Sequence, residues 1–367
     1  MVQKDNRSQR INQTQIISSL ENIYISPLES CNLECKYCYT QKTTNILSNQ
    51  QILDFITRYN NYLKENPADA FFSSIQRVTH IGRLKKNRIK EFSNGIKLKS
   101  IIFCGGEVFT LPDFSKLVNT LIQKDIFITI ITNGTIDRLD EIRQPADCQI
   151  LVSLDGPKEV HDQNRGSGNF EKSIKYIKHA QILGFPVGIM FLVTKDSYQF
   201  KDSFPSYLSN ILTLQISKAL NITYLSDRKL SLTPDQCLDI KLHYPTFPAK
   251  NFGCFQLSLQ SDGNITGCCE SNKPLGKITD SPKIYISKFI ESLTPCFDCK
   301  ISKLNNSLKI ENCKLKINCG GCTDSSYLCG YQKEFGLSSC QDVVQLLNQN
   351  PSVLRTSPLK KGRSLKK

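Results

Sequence analysis

From about residue 22 to residue 226 the chain alternates two kinds of apolar pattern. Short β-branched runs stand at Ile23–Ile25, Ser100–Phe103, Phe127–Ile131, Ile150–Ser153 and Val187–Leu192, and a sixth falls between Ile211 and Tyr224. Between them, Gln51–Lys64, Phe114–Lys124 and Phe170–Leu183 carry apolar residues three and four positions apart, which puts them on one face of a helix. Strands alternating with helices of this length make βαβ units, so the fold class is α/β with a parallel sheet. Active sites of such sheets gather at the carboxyl ends of the strands.

The remaining segments divide the chain. Residues 21–230 form the α/β unit, and within it Asp69–Lys99 is too long and too basic for a simple connection, which predicts an insertion or lid. Thr233 and Pro234 read as the N-cap and first position of a helix reaching about His243, in a bridge over residues 231–250. Residues 251–345 are cysteine-rich. The ends, residues 1–20 and 346–367, are polar or basic and are expected to be disordered.

Sixteen cysteines in 367 residues change the picture most. The N-terminus has no apolar run of the secretory type and no stretch approaches membrane-spanning length, so the expected location is the cytoplasm, where thiols stay reduced and clusters of them bind metal. Three cysteines fall at 31–38 and ten between Cys254 and Cys340; Cys104, Cys148 and Cys237 stand alone and read as small buried hydrophobes. The net charge of +14 suits an acidic partner or is a solvated basic surface. No zinc-finger or RNA-recognition spacing accompanies it, which disfavours nucleic acid.

Each cluster of chemistry-bearing residues follows a strand. Cys31, Cys35 and Cys38 are spaced C-x3-C-x2-C after the first strand. Three thiolates on one loop can each hold an iron of a cubane and leave the fourth iron open, whereas tetrahedral zinc wants a fourth ligand nearby. Tyr37 can stack on an adenine, shield a cluster, or only pack. Gly105, Gly106 and Glu107 end the second strand, where the glycines permit close backbone approach and the carboxylate can accept from an ammonium. Asn133 lies in Thr132-Asn133-Gly134 after the third strand, and Ser153 and Asp155 lie in Ser153-Leu154-Asp155-Gly156-Pro157 after the fourth. His161 and Arg165 follow in His161-Asp162-Gln163-Asn164-Arg165-Gly166, with His161 read as a structural hydrogen bonder.

C-N-L-x-C-x-Y-C-Y after a strand, followed in order by GGE, TNG, SLDGP and HDxxRG blocks, resembles the radical S-adenosylmethionine (SAM) superfamily. The resemblance implies a partial (β/α)6 TIM-type barrel and a [4Fe–4S] cluster on Cys31, Cys35 and Cys38. It further implies that SAM, held by the open iron, is cleaved reductively to a 5′-deoxyadenosyl radical that takes hydrogen from substrate. Gly105, Gly106 and Glu107 would contact the SAM amino group and Ser153 and Arg165 its carboxylate, with Tyr37, Asn133 and Asp155 in the same pocket.

The C-terminal cysteines resemble a SPASM domain, a module of β-hairpin and short helices carrying auxiliary clusters. Asp262-Gly263-Asn264 reads as the hairpin turn and Leu275-Gly276-Lys277-Ile278 as the segment after it. By that resemblance Cys254, Cys268 and Cys322 serve one auxiliary [4Fe–4S] cluster, and Cys296, Cys299, Cys319 and Cys340 another. The spacing departs from the family's pattern between Cys299 and Cys322, so Cys313, Cys269 and Cys329 stay open as ligands. The two CxxC pairs alone also read as a zinc ribbon.

The reading that follows is a radical SAM enzyme that modifies a peptide or protein, fed by an acidic electron donor such as flavodoxin or ferredoxin. Alternatives are a formylglycine-forming sulfatase maturase, an RNA-modifying enzyme and a non-catalytic iron–sulfur carrier. The first is disfavoured because Cys269 stands where sulfatase maturases place an aspartate; a carrier would have no use for a SAM pocket. Only about twenty polar residues precede the first strand, so no leader-binding domain is expected there.

Overall fold

The computed structural model describes residues 20–38, 40–65, 97–214, 216, 220–224, 230–233, 236, 239, 240, 257–267, 269 and 273–297. Six parallel strands lie side by side in chain order: β1 (Asn22–Ile25), β2 (Ser100–Phe103), β3 (Phe127–Thr132), β4 (Cys148–Leu154), β5 (Val187–Val193) and β6 (Leu220–Tyr224). Every expected strand is present. β4 starts two residues before the expected run, with Cys148 and Gln149 buried in register with Ile128 and Thr129.

Strand pairing puts side chains in rows. Ile25, Phe103, Ile130, Ile150 and Val187 are successive partners on the face that packs against helices. There α1 (Asn49–Glu65) buries Ile52, Phe55, Ile56, Tyr59 and Leu63, while α2 (Phe114–Ile122) and α4 (Asn169–Ile182) bury the apolar stripes expected of them. Each such Ile, Leu or Phe taken fully out of water contributes about 1.5–3 kcal/mol. The opposite face carries a smaller cluster of Tyr24, Ile102, Cys104 and Leu151, joined by Ile131, Met190 and Cys269. The sheet is an open, partial barrel with this second cluster on its inner face.

Two helices lie outside the expected elements. α3 (Lys158–Arg165) has one apolar side chain, Val160, and buries His161, Asn164 and Arg165 beside it. α5 (Ser203–Ile211) buries only Phe204 and Leu208. The expected helix start at Thr233 has a reciprocal cap, with the Gln236 N–H donating to Thr233 Oγ1 at 3.3 Å and the Thr233 N–H to Gln236 Oε1 at 3.0 Å. Most of its continuation to His243, like the segment 66–96 within the expected insertion, lies outside the described residues.

Past β1 the sheet continues with β7 (Ser258–Leu259), parallel to β1, and then antiparallel β8 (Asn264–Thr266) and β9 (Pro274–Lys277). The β7–β8 turn is the expected Asp262-Gly263-Asn264, with Gly263 at φ +79°. Thus the hairpin of the cysteine-rich region is part of the barrel's own sheet. α6 (Pro282–Phe297) then packs on α1, where Tyr285 stacks on Tyr59 with ring centroids 6.4 Å apart. Cys104 and Cys148 are buried as expected; Cys237 lies outside the described residues. Among the described residues no helix is long and apolar enough to cross a membrane.

Candidate active site

The loop from β1 to α1 crosses the carboxyl ends of the strands and carries Cys31, Cys35 and Cys38, none in a disulfide. It is pinned by backbone bonds: the Gly106 N–H to Leu28 O at 3.0 Å, the Glu107 N–H to Ser30 O at 3.1 Å, and the Lys36 N–H to Asn164 O at 3.1 Å. Gly105 and Gly106 make this approach possible. A Cβ on Gly106 would sit 1.8 Å from Ser30 O, and one on Gly105, at φ +116°, would sit 2.3 Å from Leu28 O. The close approach expected for a ligand is therefore made here by the thiol loop itself.

Among the described residues no three His, Cys, Asp or Glu side chains converge as they would around a single metal ion. A cubane asks for something different, because each thiolate binds its own iron and the sulfurs stay apart. The surroundings suit such a group. Cys31 Sγ accepts the Leu33 N–H at 3.4 Å and the Asn133 amide at 3.8 Å, and Cys38 Sγ lies 3.1 Å from Thr40 Oγ1. Burial raises the Cys31 and Cys35 thiols above the usual cysteine range; Leu33 and Asn133 oppose this at Cys31, and the Arg165 guanidinium opposes it at Cys35. Three free thiols on one loop, with N–H groups directed at Cys31 Sγ, fit an iron–sulfur group that binds them as thiolates.

Glu107 is fully buried, and its carboxylate accepts from Thr132 Oγ1 at 2.9 Å, the Asn133 N–H at 2.8 Å and the Phe109 N–H at 3.3 Å. Burial pushes its pKa up to about 7 despite those donors. Asp155 is likewise enclosed; it accepts from Tyr37 Oη at 2.5 Å and Arg165 Nε at 2.8 Å. Burial raises the Asp155 carboxyl, while Arg165 and the Tyr37 hydroxyl pull the other way. The Arg165 Cζ lies 5.7 Å from the Tyr37 ring centroid, so the ring packs beside the directly bonded Arg165–Asp155 pair. His161 Nδ1 accepts the Asp155 N–H at 3.3 Å, and burial followed by the nearby Arg165 pushes its pKa down to about 3. It is a neutral structural residue at ordinary pH, as expected.

Glu107, Asn133, Asp155 and Arg165 all gather at the same rim as the thiols, but they bond chiefly to one another and to the loop. Ser153, half-buried in register with Met190, keeps some exposure. Sequence reasoning missed Thr132, Asn32, Thr135 and Ser173, whose Oγ donates to Asn133 O at 2.7 Å. The signal for Thr135 was present: an Asn two residues before a Thr is an Asx-turn pattern. Of the cysteine-rich region, Cys254, Cys268, Cys299, Cys313, Cys319, Cys322, Cys329 and Cys340 lie outside the described residues, and Cys296 is placed only by its backbone in α6.

The profile of the Radical SAM superfamily matches residues 25–203, which hold the thiol loop and all four rim blocks. Residues 25–203 are thus similar to the radical SAM superfamily. It is 26% identical over 216 residues to the antilisterial bacteriocin subtilosin biosynthesis protein AlbA of Bacillus subtilis (strain 168); the match covers 55% of this chain and 41% of that protein, so the chain spans less than half of AlbA. Its fold is similar to native anSMEcpe with bound AdoMet and Cp18Cys peptide, with a TM-score of 0.55 at 18% identity, covering 89% of this chain and 99% of that one. It is also similar to SuiB of Streptococcus suis bound to precursor peptide SuiA, with a TM-score of 0.53 at 15% identity, covering 86% and 75%. At these identities the structural likeness is one of fold. The matched family implies a [4Fe–4S] cluster and SAM, for which Cys31, Cys35 and Cys38 are the fitting ligands.

Proposed function

We propose that this enzyme modifies a peptide or protein by removing hydrogen from an unactivated carbon. The observation that carries the reading is the free thiol triplet Cys31, Cys35 and Cys38, held on a pinned loop at the strand ends beside Glu107, Asn133, Asp155 and Arg165. A cluster held there supplies the electron for reductive cleavage of SAM, and with it the power to abstract hydrogen. In this reading Cys31, Cys35 and Cys38 hold the iron. Ser153 and Arg165 orient the SAM carboxylate, for which a guanidinium is suited, and the Gly105–Glu107 turn lies by its amino group. Tyr37 and Asp155 keep the loop in place, and the inner-face cluster around Ile102 and Leu151 keeps water from the strand ends.

The peptide substrate is supported by the likeness to the peptide-bound anSMEcpe and SuiB folds and by AlbA's role in subtilosin biosynthesis. Auxiliary clusters on Cys254, Cys268, Cys296, Cys299, Cys319, Cys322 and Cys340, and an acidic electron donor drawn to the +14 chain, complete the proposal. Formylglycine formation is the weaker reading: Cys269, in the aspartate's place, packs onto the inner-face cluster as a soft apolar group. Anaerobic incubation of the reconstituted enzyme with SAM and dithionite should release 5′-deoxyadenosine, and no release would reject radical SAM catalysis. Iron and labile sulfide beyond one cubane would support the auxiliary clusters, whereas stoichiometric zinc would replace them with a zinc ribbon.

A further inference from the structure

Asn133 sits at the end of β3 and is 7% exposed. Its side-chain amide can be oriented without ambiguity. One end accepts two donors from the same residue, the Thr135 N–H at 2.9 Å and Thr135 Oγ1 at 2.6 Å, so that end is the oxygen. The other end must be the NH2 group, and it faces Asn32 Oδ1 at 3.0 Å and Cys31 Sγ at 3.8 Å. Asn32 is fixed in turn, since its own Nδ2 donates to Thr135 Oγ1 at 2.8 Å. The backbone is held as well: the Asn133 N–H donates to Glu107 and its carbonyl accepts from Ser173. Every polar group of Asn133 is therefore directed at the protein, and one amide hydrogen is aimed at a thiol sulfur of the triplet.

We propose that Asn133 is a positioning residue that sets the reduction potential of the cluster through an N–H···S bond to Cys31. The inference rests on the reading that the triplet holds a cluster. Hydrogen bonds to a ligating sulfur stabilise the more negative, reduced cluster and so raise its potential. Cys31 receives two such N–H groups, from Leu33 and Asn133, whereas Cys38 faces a hydroxyl and Cys35 the charge of Arg165. The three iron–thiolate bonds are thereby made inequivalent by the protein. Reduction of the cluster is the step that draws on an outside electron donor, so a residue that sets its potential sets which donors suffice.

The test is a redox titration of the full-length enzyme without SAM, following the reduced-cluster EPR signal that is absent in Cys35→Ala. Asn133→Ala should shift the midpoint to more negative potential at unchanged iron content, and Asn133→Asp should shift it further by adding charge. Thr135→Val, which removes one of the two donors that fix the amide, should give a smaller shift in the same direction. An unmoved midpoint in Asn133→Ala with wild-type iron overturns the proposal. If that variant fails to hold the cluster, pulsed EPR of the wild type labelled with 15N in asparagine side-chain amides decides. A 15N coupling to the same signal supports the bond and its absence overturns it. A wild-type enzyme with no signal lost in Cys35→Ala would overturn the cluster reading itself.

Discussion

The Tyr37 hydroxyl donates to Asp155 Oδ2 at 2.5 Å across 118 residues of sequence, tying the thiol loop to the end of β4. Tyr37 stands between Cys35 and Cys38, so this bond fixes both thiols before any iron arrives. Hydrogen bonds to charged groups contribute about 1.5–3 kcal/mol, so Tyr37→Phe should destabilise the cluster-free protein by about that amount. Asp155→Ala should cost more, about 3–5 kcal/mol, because it leaves Arg165 buried without its carboxylate. Urea unfolding of both variants measures this. An unchanged midpoint in Tyr37→Phe would mean the loop is held by its backbone bonds alone.

The proposed division of the cysteines into a loop triplet and a C-terminal set makes a separate prediction. Cys35→Ala should abolish SAM cleavage while the iron and sulfide of the auxiliary clusters remain. Anaerobic iron analysis with Mössbauer spectra of the 57Fe-reconstituted variant checks it. Loss of all iron together would mean that the two sets are not independent.

Glu107 and His161 should impose opposite pH dependences on stability. The Glu107 pKa is raised from 4.5 to about 7, so the folded state holds a proton the unfolded state has lost; its contribution is full below 4.5 and disappears as pH rises to 7. The His161 pKa is lowered from 6.5 to about 3, so its contribution is full above 6.5 and disappears as pH falls. Each slope is about 1.4 kcal/mol per pH unit, and between pH 4.5 and 6.5 the two cancel. Glu107→Gln should make stability rise with pH across that window, and His161→Gln should make it fall. Denaturant midpoints of the cluster-free proteins at several pH values would reveal it; parallel profiles in both variants would show that neither group titrates as its burial implies.

The strands were legible because parallel strands covered on both faces are written as continuous β-branched runs, as in Phe127–Ile131 and Val187–Leu192. α3 was not, since its buried face is His161, Asn164 and Arg165 and no apolar stripe marks it. The thiol triplet was legible for its local spacing. Its partners were legible only as blocks: the pairing of Tyr37 with Asp155, and of Asn133 with Cys31, is a product of the fold that brings distant strand ends to one rim. Glu107 was identified by type, but its three donors, which turn it inward, come from the neighbouring strand and its own 3-10 turn.

Gly106 and Gly168 should respond differently to the same substitution. A Cβ at Gly106 would meet Ser30 O at 1.8 Å, and both atoms belong to the contact that seats the thiol loop on β2. Neither can yield without moving backbone, so Gly106→Ala should cost at least about 3 kcal/mol, the upper range of overpacking, and displace the loop. Gly168 has φ +76° but nothing within 4 Å of its Cβ position, so Gly168→Ala should cost only the left-handed strain, about 1–2 kcal/mol. Iron per chain after anaerobic reconstitution separates the two: Gly168→Ala should fill its SAM-site cluster as the wild type does, and Gly106→Ala should not. Equal filling by both variants would mean that the seat of the loop on Gly106 is not what places Cys31 for iron.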